Sequence, residues 1–200
     1  MRVLVVLALI VLTLVGWEAQ RELSLDHRLS DVASEVAGRQ VSVDCPGFLR
    51  GLLDIRGNGG SVMFDANGKP SSTTHLETSV CHDLSSYGAT RKQADFSCVF
   101  STAFCSEKVE RAVYAALVLS HESQHLRGIQ SESAAQCYAI QTLGLVAGRL
   151  GSPPAEAGAV AAHFLAVSQP RMSTEYSLSA DCVDGGSLDL NPQSTGWPTP

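Results

Sequence analysis

After Met1 and Arg2 the chain runs apolar from Val3 to Trp17, interrupted only by Thr13 and Gly16. At about 1.5 Å per residue a helix of that run is roughly 22 Å long, short of the ~30 Å hydrocarbon layer and near the upper end of a signal-peptide core. Leu14 to Ala19 offers no small-x-small cleavage site, so residues 1–17 read as a retained anchor. Arg2 on the inner side then leaves the rest of the chain outside the cytoplasm, a single-pass arrangement; cleavage and secretion is the alternative. Either route carries Cys45, Cys81, Cys98, Cys105, Cys137 and Cys182 into an oxidising compartment. Their number is even, and no gap matches the close pairs of a zinc ribbon or a thioredoxin-like site, so the fold is expected to be stapled by disulfides. Spacing, and the need to secure the ends, favours Cys98 with Cys105 and Cys137 with Cys182.

The 200 residues suffice for one domain with tails, and 44% hydrophobic residues suffice for a core of its own. A net charge of −6 argues against a grip on a polyphosphate backbone, so nucleic acid is not an expected partner.

Leu23, Leu25, Leu29, Val32 and Val36 recur at helical spacing up to Gly38, which reads as a helical stalk over 18–38. Gln40 to Cys45 and Ser61 to Asp65 read as short strands, the second preceded by a turn at Gly57 to Gly60 and closed by Asn67-Gly68-Lys69-Pro70. Thr74 to Leu84 fits an amphipathic helix, and 85–105 reads as irregular. The strongest helical signal starts after Ser106, with Glu107 and Glu110 in the first turn, and stays nearly apolar to His121. A second helix starts near Ser131 and a third follows Ser152-Pro153-Pro154 to about Ser168. Beyond 183, Gly, Ser, Asn and Pro suggest a flexible tail, 183–200. The expected architecture is α+β: a mainly helical, disulfide-stabilised domain over 39–182 with a small sheet, behind an N-terminal hydrophobic helix.

His121-Glu122-Ser123-Gln124-His125 lies in the last turns of the strongest helix. Residues four apart project from one helix face, so the two imidazoles can share one metal ion, while Glu122 points aside and can act as a general base. The histidines alone would also be satisfied by ordinary hydrogen bonds, and Glu132 alone reads equally as a dipole-favoured acid at a helix start.

This H-E-x-x-H pattern, followed by Glu132-Ser133-Ala134-Ala135-Gln136-Cys137-Tyr138-Ala139, resembles the zincin metallopeptidases, and within them the gluzincin type with its E-x-x-A-N/D-x-F/Y-A second helix. The resemblance covers about twenty residues, and Gln136 stands where that family often has Asn or Asp. It implies a zincin-like domain binding Zn2+ through His121, His125 and Glu132, with Glu122 activating metal-bound water to hydrolyse a peptide or protein substrate. His163, Tyr138 and Tyr176 are the candidates for stabilising the oxyanion. The alternative is a non-catalytic, extracellular, disulfide-stabilised binding module whose metal site is structural or degenerate.

Overall fold

The computed structural model describes residues 2–46, 59–194 and 196–198, and for most of residues 2–22 the backbone alone. Helix α1 (Arg2–Ala37) runs without a break, and Gly38, at φ +67°, turns the chain out of it into strand β1 (Ser42–Asp44). The hairpin β2 (Gly60–Phe64) and β3 (Pro70–Leu76) follows, then α2 (Thr78–Gln93), a 3-10 turn at Phe96–Phe100, α3 (Glu107–Arg127), α4 (Glu132–Arg149) and α5 (Pro154–His163). A π-helical turn, Phe164–Ser168, extends α5.

The three strands form a sheet in the order β1-β3-β2, with β1 parallel and β2 antiparallel to β3. The hairpin is closed by Asp65, whose carboxylate accepts from the Asn67 and Lys69 amides at 2.8 and 2.9 Å, while Gly68 takes a φ of +76°. Those two bonds hold the Asp65 carboxyl below its usual pKa. At the opposite edge, α1 supplies hydroxyl acceptors: the Val43 amide donates to Ser30 Oγ at 2.8 Å and the Val41 amide to Ser34 Oγ at 3.0 Å. Backbone groups that would otherwise form an open strand edge are thereby satisfied.

Helix α3 is the axis of the molecule, packed by α1, α2, α4, β2 and β3. From Ala115 to Leu126 every side chain is buried, so the apolar stripe expected of a surface helix widens to the whole circumference. Its start is fastened differently from the sequence reading. Ser106 makes no side-chain cap; instead Glu110 reaches back and accepts from the Cys105 amide at 2.8 Å. At its far end the Arg39 guanidinium donates to the Leu126 carbonyl at 2.8 Å and to the Ser71 carbonyl at 2.6 Å, tying helix end, sheet and the exit of α1 together.

All six cysteines are paired: Cys45 with Cys81, Cys98 with Cys105, and Cys137 with Cys182. The mixed helical architecture, small sheet and disulfides match the expected class. Three details differ. Thr74 to Leu76 belong to β3 rather than to a helix, and α2 instead runs on to Gln93 through the segment read as irregular. The second half of the expected stalk is core: Leu29, Val32, Ala33 and Val36 are buried, because that face of α1 lies against α3 and β1. The tail beyond 183 is held by Gln141, which donates to the Leu188 carbonyl at 2.8 Å and accepts from the Leu190 amide at 2.7 Å. Residues 3–17 are helical in backbone, and the side chains that bear on the anchor expectation lie outside the described ones. Among the described residues no helix is long and apolar enough to cross a membrane. Gly57 and Asn58 of the expected turn also lie outside the described residues.

Candidate metal centre

The two histidines and Glu132 meet because α3 ends immediately after His125. Gly128 takes a left-handed conformation, φ +113°, and its amide bonds the His125 carbonyl at 2.9 Å while the Ile129 amide bonds Gln124 at 3.1 Å. The chain reverses within three residues, and Ser131 caps α4 by accepting from the Ala134 amide at 3.4 Å. Glu132, first residue of α4, therefore lies over the last turns of α3.

Three donor atoms converge there. His121 Nε2 is 3.0 Å from His125 Nε2 and 3.0 Å from Glu132 Oε2, and His125 Nε2 is 3.3 Å from the same oxygen. Atoms bound tetrahedrally at zinc distances of about 2.0–2.1 Å stand about 3.3 Å apart, so the triangle has the size of one face of such a coordination sphere. Hydrogen bonding on the far side of each ring fixes which nitrogens face inward. His125 Nδ1 donates to the Ile129 carbonyl at 2.6 Å, and a carbonyl only accepts, so Nδ1 carries the hydrogen and Nε2 a lone pair. His121 Nδ1 faces Gln136 Oε1 at 3.0 Å, with the same result. Two nitrogen lone pairs and a carboxylate oxygen thus point at one spot, an arrangement that repels itself unless a cation or a proton is shared among them. His121, His125 and Glu132 are accordingly a group that can hold a metal ion.

The electrostatics agree. When a proton rather than a metal is shared at the triangle, the hydrogen bond from His121, and the charges the two histidines then carry, hold the Glu132 carboxyl below its usual pKa against the opposing effect of partial burial. Burial first, and the neighbouring His121 second, lower the His125 pKa, which favours its neutral, ligating form. Glu122 is 5% exposed, and burial pushes its carboxyl up to about 7 against the opposing charge of His121; its Oε2 also accepts from the Thr74 hydroxyl at 3.4 Å. Gly60 of β2 lies directly against it: a Cβ built there would come within 2.6 Å of Glu122 Cγ.

Beside the triangle a small cleft is lined by Tyr114, Leu117, Val118, His121, Glu122, Gln136, Met172 and Tyr176. The Tyr176 ring stands edge-on to His121 with centroids 5.5 Å apart, and burial, then the charge of Glu132, pushes its phenol up to about 12. On the other side Phe64 of β2 stands edge-on to His125 at 6.1 Å. Of the three oxyanion candidates only Tyr176 lines this cleft. Tyr138 is on α4 but is not among the lining residues. His163 is a correction: it is buried away from the centre, donating from Nδ1 to the Ser101 carbonyl at 3.0 Å, with Nε2 3.0 Å from Glu110 Oε1. Cys105 lies with that pair but is sealed in a disulfide, so it offers no thiolate. The sequence alone does not mark Tyr114, Thr74 or Gly60 as site residues; Tyr114 lies seven residues, about two helical turns, before His121 and so on the same face of the helix, a spacing that could have found it.

Comparisons with protein-family models, with curated proteins and with solved structures return no match.

Proposed function

We propose that the chain is a zinc-dependent peptidase acting outside the cytoplasm, with His121, His125 and Glu132 as metal ligands and Glu122 as general base. The observation that carries the reading is the convergence of two imidazole lone pairs and one carboxylate oxygen within 3.0–3.3 Å of each other. Two nitrogens and one oxygen from three protein groups are the donor set of a hydrolytic zinc site rather than a closed structural one, which takes four protein ligands. When bound, zinc supplies Lewis acidity that polarises a scissile carbonyl and acidifies water beside it.

The rest is the work of this chain's side chains. Glu122, next in sequence to one ligand and buried beside the cleft, takes the proton from the attacking water and later hands it to the leaving amine. A carboxyl with a pKa near neutrality suits both transfers. Tyr176, whose raised pKa keeps its phenol protonated, donates a hydrogen bond to the developing oxyanion. Strand β2 pairs only with β3 among the described residues, and an extended substrate pairing with its other side would follow a backbone ladder past Gly60 and Phe64 to the ligands. The three disulfides support an oxidising, extracytoplasmic setting.

The test is Glu122→Gln in the full chain. It should keep one zinc per chain and lose cleavage of an unstructured protein substrate such as casein. Undiminished cleavage in that variant removes the base from the reading. Zinc retained by a wild-type chain that cleaves nothing supports instead a structural centre in a binding module.

A further inference from the structure

The orientation of His121 is set by a residue outside both sequence motifs. The Tyr176 carbonyl can only accept, and Gln169 Nε2 donates to it at 2.8 Å. Gln169 must then present Oε1 at its other end, where Gln136 Nε2 donates at 2.7 Å. Gln136 in turn must present Oε1 to His121, 3.0 Å from Nδ1. Every group in the sequence Tyr176, Gln169, Gln136, His121 therefore has its direction fixed by the carbonyl at the end, since either amide could otherwise turn over and reverse the pattern. Reversed, Gln136 would offer N–H to His121 Nδ1, the ring hydrogen would move to Nε2, and the lone pair facing Glu132 and His125 would be gone. Gln136 is 1% exposed and cannot exchange its partners for water. The same carbonyl belongs to the tyrosine whose ring stands against His121, so one short segment, 169–176, governs both the tautomer of a ligand and the placing of the phenol.

We propose that Gln169 is a positioning residue for the metal centre, acting through Gln136 to hold His121 in the tautomer whose Nε2 can bind a metal. The proposal rests on the metal reading of His121, His125 and Glu132, and a polarity swap separates it from a packing role. In Gln169→Glu the carboxylate accepts from Gln136 Nε2, so His121 keeps its lone pair at Nε2. In Gln169→Lys the ammonium donates to Gln136 Oε1, which turns the Gln136 amide over and drives the ring hydrogen onto Nε2. Zinc affinity, measured by competition with a chromophoric chelator, should be unchanged in Gln169→Glu and fall about 10- to 100-fold in Gln169→Lys, the range for loss of a ligand's orienting partner. Gln169→Met, of similar shape and with no polarity, should fall between them and stands in if the lysine variant does not fold. Equal affinity in all three, or an equal loss in all three, overturns the proposal. A second readout needs no metal: under alkaline conditions that leave the His121 ring neutral, its 15N shifts should report hydrogen on Nδ1 in wild type and Gln169→Glu, and on Nε2 in Gln169→Lys. If wild type binds no zinc while Gln169→Lys still shows the tautomer swap, the metal reading fails and the relay stands; zinc binding by wild type without a swap in Gln169→Lys does the reverse.

Discussion

Replacing Gly60 with Ala is the most economical way to test how the sheet holds the proposed base. The added Cβ would lie 2.6 Å from Glu122 Cγ, 2.8 Å from Cδ and 2.9 Å from Oε1. Carbon atoms pack comfortably at about 3.5–4.0 Å, so roughly 1 Å of separation must be found. Neither side yields easily. Strand β2 is held by its register with β3, Gly60 opposite Leu76, and by the Glu77 amide donating to the Gly59 carbonyl at 2.9 Å. Glu122 stands on a helix buried on every side, and Cγ is too close to the backbone to swing clear. Overpacking of this kind costs about 1–3 kcal/mol. For a chain of this length that is a fall in Tm of about 2–12 °C, read by circular dichroism on the metal-free protein. Zinc stoichiometry should survive, since none of the three ligands is touched, while a base displaced by about 1 Å should lower peptide turnover about a hundredfold. A Gly60→Ala protein with the wild-type Tm and wild-type turnover would refute the close approach of β2 to Glu122 and with it the account of how the base is placed.

Glu132→Ala and His125→Ala should each lose stoichiometric zinc after gel filtration, as judged by metal analysis, while keeping the far-ultraviolet spectrum of the fold; retention of one zinc per chain in either would remove that residue from the ligand set. The disulfides should rank by the length of chain they close: at separations of 45, 36 and 7 residues, paired Ser substitutions at Cys137–Cys182 and Cys45–Cys81 should each cost about 4 kcal/mol in denaturant unfolding and at Cys98–Cys105 about 2.5 kcal/mol. Equal costs would overturn the ranking. Alkaline stability should depend on Tyr87, fully buried on α2, whose hydroxyl lies 3.0 Å from Ser152 Oγ and whose pKa burial raises to about 12. The folded pKa lies above the free value of 10, so its contribution is whole below pH 10 and is lost as pH rises through about 12, a loss of about 3 kcal/mol that Tyr87→Phe should abolish. An identical pH profile in that variant would show that Tyr87 is not the group responsible.

What could be read in the chain without coordinates follows the range of the forces involved. Helices α3 and α4 and the donor triangle are local features: a first-turn acid, a long apolar run, a glycine at the stop and a serine at the restart lie within forty-five residues and speak for themselves. Strand β3 was illegible for the same reason. Its residues Ser71 to Thr74 are polar on both faces, and their place in the middle of the sheet is earned by distant partners, Thr74 bonding the Ser61 carbonyl at 3.1 Å and facing Glu122. The stalk expectation fails at its second half because a helix periodicity shows which face is apolar without showing what covers it, and that face of α1 is covered by α3.

The relay behind His121 shows where local reading ends. Gln136 is visible as the one departure in an otherwise matching second motif, and the departure invites the reading that the site is degenerate. Yet a glutamine differs from an aspartate in a physical respect: a carboxylate accepts at either oxygen and cannot present the wrong end, whereas an amide can be turned over. A chain that carries Gln there needs a second group to fix the amide's direction, and that group need only reach it in space. Gln169 does so from 33 residues away, taking its own direction from the Tyr176 carbonyl. If the proposed relay holds, the residue that departs from the motif has a compensation no spacing rule could disclose, and Gln136 is then no ground for reading the site as degenerate; Gln169→Lys and Gln169→Glu proteins that prove alike would restore that ground.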